Sequence, residues 1–119
     1  MTVHHISAVT LAVRDMTDAV DFYQAKVGLE LVYGGKSASF TSFRVDTGYL
    51  NLVIATRGNR SWWGRLIFHV DDVDALYRRL ADAGLKPLME PQNAPWGERY
   101  FHINDPDGHE VSFARRLGN

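Results

Sequence analysis

Apolar and polar positions alternate from Ile6 to Val13, with Val9, Leu11 and Val13 on one side and Ala8, Thr10 and Ala12 on the other. A period of two predicts a strand with one buried face. The period then changes. Met16, Ala19, Val20, Tyr23 and Val27 form one stripe of an amphipathic helix, Asp15 stands where a cap is needed, and Gly28 ends it. Three strands are predicted next, over 29–33, 39–45 and 49–55. Gly34-Gly35 and Asp46-Thr47-Gly48 connect them.

The same order then recurs. Leu66, Phe68 and Val70 alternate in a strand over 65–70, Asp71 or Asp72 caps a second helix, and Val73, Leu76, Tyr77 and Leu80 form its stripe before Gly84. Val13, Asp15 and Met16 reappear as Val70, Asp72 and Val73, a constant offset of 57 positions (13 to 70, 15 to 72, 16 to 73). Strands are predicted over 85–88, 99–103 and 110–114, the last two joined by the turn Asp105-Pro106-Asp107-Gly108. The chain therefore reads as β-α-β-β-β twice, an α+β fold of two βαβββ modules over about 1–57 and 64–119 within one domain. One helix covers one face of each sheet. The uncovered faces carry Ala8, Thr10 and Ala12, then Arg65, Ile67 and His69, then Glu110, Ser112 and Ala114. A curved sheet with such a mixed face suits a small-molecule cavity or the packing of a second copy.

Composition narrows the partners. With 119 residues, 13 basic against 14 acidic side chains and a net charge of -1, nothing favours nucleic acid or an anionic membrane. No cysteine is present, which removes disulfides, thiolate catalysis and cysteine-based zinc sites. The apolar runs are strand-sized, and no signal peptide pattern opens the chain, so a cytoplasmic location is expected.

Val13-Arg14-Asp15-Met16, Ala19-Val20-Asp21-Phe22-Tyr23 and Gly28-Leu29-Glu30-Leu31 resemble the opening module of the vicinal-oxygen-chelate (VOC) superfamily. This is the glyoxalase/bleomycin resistance protein/dioxygenase family. Val70-Asp71-Asp72-Val73, Ala83-Gly84-Leu85 and Asp105-Pro106-Asp107-Gly108-His109-Glu110 resemble its closing module. The resemblance covers nearly the whole chain. It implies paired modules around a cavity with helices outside, and a homodimer. Metal-dependent members hold His or Glu ligands on cavity strands. The matching positions here are Ala8, Asn51, Arg65 and Ser112. A methyl group, an amide, a permanent cation and a neutral hydroxyl are poor ligands for a divalent metal. The resemblance thus points to the family's metal-free members, and no cofactor is predicted.

Arg65 is the sharpest candidate. It either binds an anionic group of a ligand or pairs with Glu110. His69, His102, Glu110, Ser112, Asn51, Thr10 and Tyr100 are further cavity candidates, and Trp62, Trp63 and Trp96 lie in loops where indoles can stack on a flat molecule. The expected function is small-molecule binding, such as sequestration of an antibiotic or metabolite. The alternative is an enzyme of glyoxalase-type lyase, isomerase or dioxygenase character. That enzyme would use a divalent metal at a shifted site formed by His69, His102 and Glu110, or no metal, with Arg65 as electrophile and these residues as acid or base.

Overall fold

A computed structural model of the protein describes residues 5–55, 63 and 65–118. Trp62, one of the loop candidates, lies outside them. The chain divides into two compact units, 1–59 and 60–119. Each is built as β-α-β-β-β.

In the first unit β1 (Ala8–Val13) leads to α1 (Met16–Val20), followed by β2 (Glu30–Tyr33), β3 (Phe40–Val45) and β4 (Gly48–Ile54). The strand order is β1-β4-β3-β2, with β1 parallel to β4 and the other pairs antiparallel. Asp15 caps α1 by accepting the Asp18 amide at 3.1 Å. The predicted stripe over 16–27 is only partly an α-helix, because Asp21–Val27 continue as a wider π-helix. The widening turns Phe22 inward beside Tyr23, and both rings are fully buried in edge-to-face contact at 4.8 Å. Leu11, Val13, Val20, Phe43, Leu50 and Leu52 complete this core.

The second unit repeats the plan. β5 (Arg65–His69) leads to α2 (Val73–Asp82), then β6 (Gln92–Asn93), β7 (Glu98–Asn104) and β8 (Glu110–Arg116). The order β5-β8-β7-β6 matches that of the first sheet, again with one parallel pair. Asp72, and not Asp71, is the cap of α2, accepting the Ala75 amide at 3.0 Å. Val73 and Leu80 of the helix bury against Phe101, Ile103, Val111 and Phe113. The strand predicted over 85–88 does not form. Pro87 has no amide proton for a ladder, and the edge strand shifts to Gln92–Asn93 beyond Pro91. From that segment the Leu88 amide donates to the His102 carbonyl of β7 at 2.8 Å. Among the described residues no helix is long and apolar enough to cross a membrane.

Candidate functional site

The candidate residues gather on the helix-free face of the second sheet. Strand alternation puts Leu66 and Phe68 under α2, and hence Arg65, Ile67 and His69 on the other side. Cross-strand register extends these into rows. Arg65 pairs with Glu110, which pairs with Asn104; Ile67 with Ser112 and His102; His69 with Ala114 and Tyr100. Glu98 begins β7 on the same face.

In the first row the Arg65 guanidinium is engaged with Glu110, its Nε and one terminal nitrogen both donating to Glu110 Oε2. Of the two expectations for Arg65, pairing with Glu110 is the one observed.

In the second row Ser112 is buried, and its hydroxyl donates to the Phe101 carbonyl at 3.4 Å. His102 lies across from it. The His102 Nδ1 is sealed from solvent and has no hydrogen-bond partner. Burial pushes the His102 pKa down, the Arg65 charge adds to this, and Glu110 opposes it. Burial and the Arg65 charge thus both favour the neutral ring.

The third row contains a relationship absent from the sequence reading. His69 Nε2 lies 3.0 Å from Glu98 Oε2, and Trp96 Nε1 donates to Glu98 Oε1, also at 3.0 Å. Ala114 makes this span possible, since its methyl group is fully covered and leaves room for His69 to reach across β8. Trp96, in the turn before β7, packs on Tyr100 at 5.5 Å, and Tyr100 on His102 at 5.0 Å, so three rings follow one another from that turn onto β7. Glu98 went unrecognised because the strand was expected to begin at Arg99. The alternation of Tyr100 and His102 carried back one step would have found it.

The other candidates fall elsewhere. Trp63 donates its indole N–H to His109 Nδ1 at 2.8 Å, with the rings 5.8 Å apart. Thr10 and Asn51 belong to the first unit, on the helix-free face of its sheet. They face each other across β1 and β4, and the Asn51 amide donates to the Thr10 hydroxyl at 3.4 Å. Ala8 is exposed on the same face. Among the described residues no three His, Asp or Glu side chains cluster so as to hold a metal ion.

Two βαβββ units with parallel outer pairs and one helix each define an α+β protein of the VOC type. The model of the Glyoxalase/Bleomycin resistance protein/Dioxygenase superfamily matches residues 2–113, and the chain belongs to that family. It is 25% identical over 113 residues to YetH, an uncharacterised protein of Bacillus subtilis strain 168, covering 89% of this chain and 93% of YetH. Among solved structures it resembles lactoylglutathione lyase from Agrobacterium tumefaciens, with a TM-score of 0.79, 23% identity and coverage of 95% and 94% of the two chains. It also resembles a glyoxalase family protein from Bacillus anthracis, with a TM-score of 0.83, 18% identity and 98% of each chain covered. At these identities the structural likeness is one of fold.

Proposed function

We propose that the protein binds a small neutral or anionic molecule on the helix-free face of its second sheet, without a metal at the family's ligand positions. Sequestration of an antibiotic or metabolite is the corresponding activity. The observation that carries this reading is the orphaned His102 Nδ1. A buried nitrogen without a partner costs about 1–3 kcal/mol. A ligand polar group recovers part of that cost if it displaces one of the side chains covering this nitrogen. Arg65 and Glu110 beside it already neutralise each other, so this neighbourhood gives no reason to expect a cationic ligand.

The residues at the four ligand positions do not fit a divalent cation. Ala8 has no donor atom, and Asn51 is turned toward Thr10. Arg65 is a fixed cation, and the Ser112 hydroxyl is spent on a backbone carbonyl. Divalent metals in such sites require imidazole or carboxylate donors.

The test has two parts. Elemental analysis of protein purified without chelator is expected to find metal far below one equivalent, also after incubation with nickel, zinc, iron or manganese. Tryptophan fluorescence titrations with neutral and anionic aromatic compounds are expected to give saturable binding that weakens in His102→Ala. Stoichiometric metal, or no saturable binding by any compound, would overturn the proposal.

A further inference from the structure

We propose that His69, oriented by Glu98 beside Trp96, is a proton acceptor for a bound phenol, a planar ring carrying an acidic O–H. The inference rests on the reading of this sheet face as a ligand surface and names a chemical class for it.

The argument begins with the tautomer. A carboxylate only accepts hydrogen bonds, so the 3.0 Å contact between His69 Nε2 and Glu98 Oε2 places the imidazole proton on Nε2. The lone pair is then on Nδ1. The His69 side chain is 57% exposed, so the ring stands open to solution. Glu98 cannot easily swing away, because its other oxygen holds the Trp96 indole N–H. A carboxylate fixed by two donors, one of them an imidazole, orients a base.

The surroundings select the ligand's shape. Trp96 is 67% exposed although its N–H edge is tied down. Its face is thus a stacking surface that loses little freedom on binding. Tyr100 and His102 continue the ring row along β7.

The chemistry selects the functional group. A neutral imidazole nitrogen accepts a proton and offers nothing to a carboxylate or phosphate oxygen. An acidic hydroxyl satisfies it. On transfer the O–H bond breaks, its electron pair stays on the phenolate oxygen, and the proton forms an N–H bond at Nδ1. The resulting imidazolium keeps its Nε2 contact with Glu98 Oε2 at 3.0 Å.

The probe is para-nitrophenol, whose phenolate is coloured and so reports its own ionisation. Held at fixed concentration and pH while protein is added, its phenolate band should grow to a plateau, and in the reverse titration it should quench tryptophan fluorescence saturably. His69→Gln should abolish the growth of that band and weaken binding by about tenfold or more. Trp96→Leu should weaken binding while the fold, followed by circular dichroism, persists. NMR of the imidazole nitrogens should place the proton on Nε2 in the native protein and lose that preference in Glu98→Gln. Binding and band growth unchanged in His69→Gln, or a proton found on Nδ1, would overturn the inference. Saturable binding of other aromatic compounds without any binding of para-nitrophenol would overturn it too, while leaving the broader proposal standing. No binding by any compound would remove both.

Discussion

Arg99 holds Asp74 through two parallel hydrogen bonds, Nε to Oδ2 at 2.7 Å and Nη2 to Oδ1 at 2.8 Å. Its remaining terminal nitrogen donates to Asn93 Oδ1 at 3.0 Å. One guanidinium thereby ties α2 to β7 and to the short edge strand. The ring row and Glu98 stand on the opposite face of that same β7, so the clamp steadies the strand that presents the candidate site. The pairing of a planar fork with a carboxylate is the geometry that arginine, and not lysine, provides.

The Arg99 hydrogen bonds hold the Asp74 carboxyl below its ordinary pKa, against a smaller opposing effect of burial. A depressed folded-state pKa adds stability that is present above the unfolded value and is lost as pH falls through the folded one. Both side chains are partly exposed, so solvent screening keeps the contribution small. Asp74→Asn should lower the urea midpoint slightly at neutral pH, and the difference from the native protein should vanish in acid. A difference that persists unchanged below the carboxylate range would refute this account.

Arg65→Gln should raise the pKa of His102. The variant removes the cation that disfavours a charged ring and frees Glu110, which favours one. Burial, the largest cause of the depression, remains, so the return toward the ordinary value of about 6.5 should be incomplete. The sign for stability follows. A histidine with a lowered folded-state pKa costs nothing while both states are neutral, and it destabilises the fold as pH drops through the unfolded value. Proton NMR of the His102 ring checks the shift, and an unchanged midpoint in Arg65→Gln would show that Arg65 does not act on it.

Much of this architecture was legible in the chain itself. The repeated offset announced two like units, and Asp15 and Asp72 are both helix caps in the structure. Alternation on β5, β7 and β8 placed Arg65, His69, His102, Glu110 and Ser112 on one face, because a period of two assigns faces without knowledge of packing. The π-helical continuation of α1 was hidden, since Met16, Ala19, Val20 and Tyr23 satisfy an ordinary helical stripe as well. Pro87 and Pro91 are the signal in the chain that speaks against a strand over 85–88, a segment whose Leu85 and Leu88 suit a strand by apolarity alone. The partnerships of Glu98 with His69 and of Trp63 with His109 depend on register and loop course, which single-chain patterns do not encode.

Gly34→Ala should destabilise the first unit. Gly34 has φ of 81°, a region that side chains disfavour, and an added Cβ would strike the Phe40 carbonyl oxygen. The turn is already fixed by Thr41, whose hydroxyl accepts the Gly35 amide at 3.1 Å and donates to the Gly35 carbonyl at 3.2 Å. The backbone cannot relax away without losing these bonds. The left-handed conformation alone costs about 1–2 kcal/mol for a residue with a side chain. A lower urea midpoint is expected, whereas Gly84→Ala, where an added Cβ meets nothing within 4 Å, should show only the conformational part.

Phe113→Ala tests how far the helix side of the second sheet supports its open side. Phe113 is fully buried, stacked on Phe68 at 5.7 Å and packed on Phe101 at 5.4 Å, which in turn meets Tyr77 of α2 edge-on at 5.4 Å. Removing the ring leaves a cavity at the junction of β5, β7, β8 and α2, at a cost of about 3–5 kcal/mol. That is a large share of the roughly 5–15 kcal/mol that stabilises a typical domain. Phe113→Leu should cost much less, because it refills most of the volume. Ser112 and Ala114 flank this position on β8 and point to the open face, so slack in the strand should also loosen the span from His69 to Glu98. In Phe113→Leu the urea midpoint should fall modestly while the His69 tautomer seen by NMR is kept. In Phe113→Ala both should be affected. A tautomer signal untouched by the larger cavity would mean that the open face holds its geometry independently of the core beneath it.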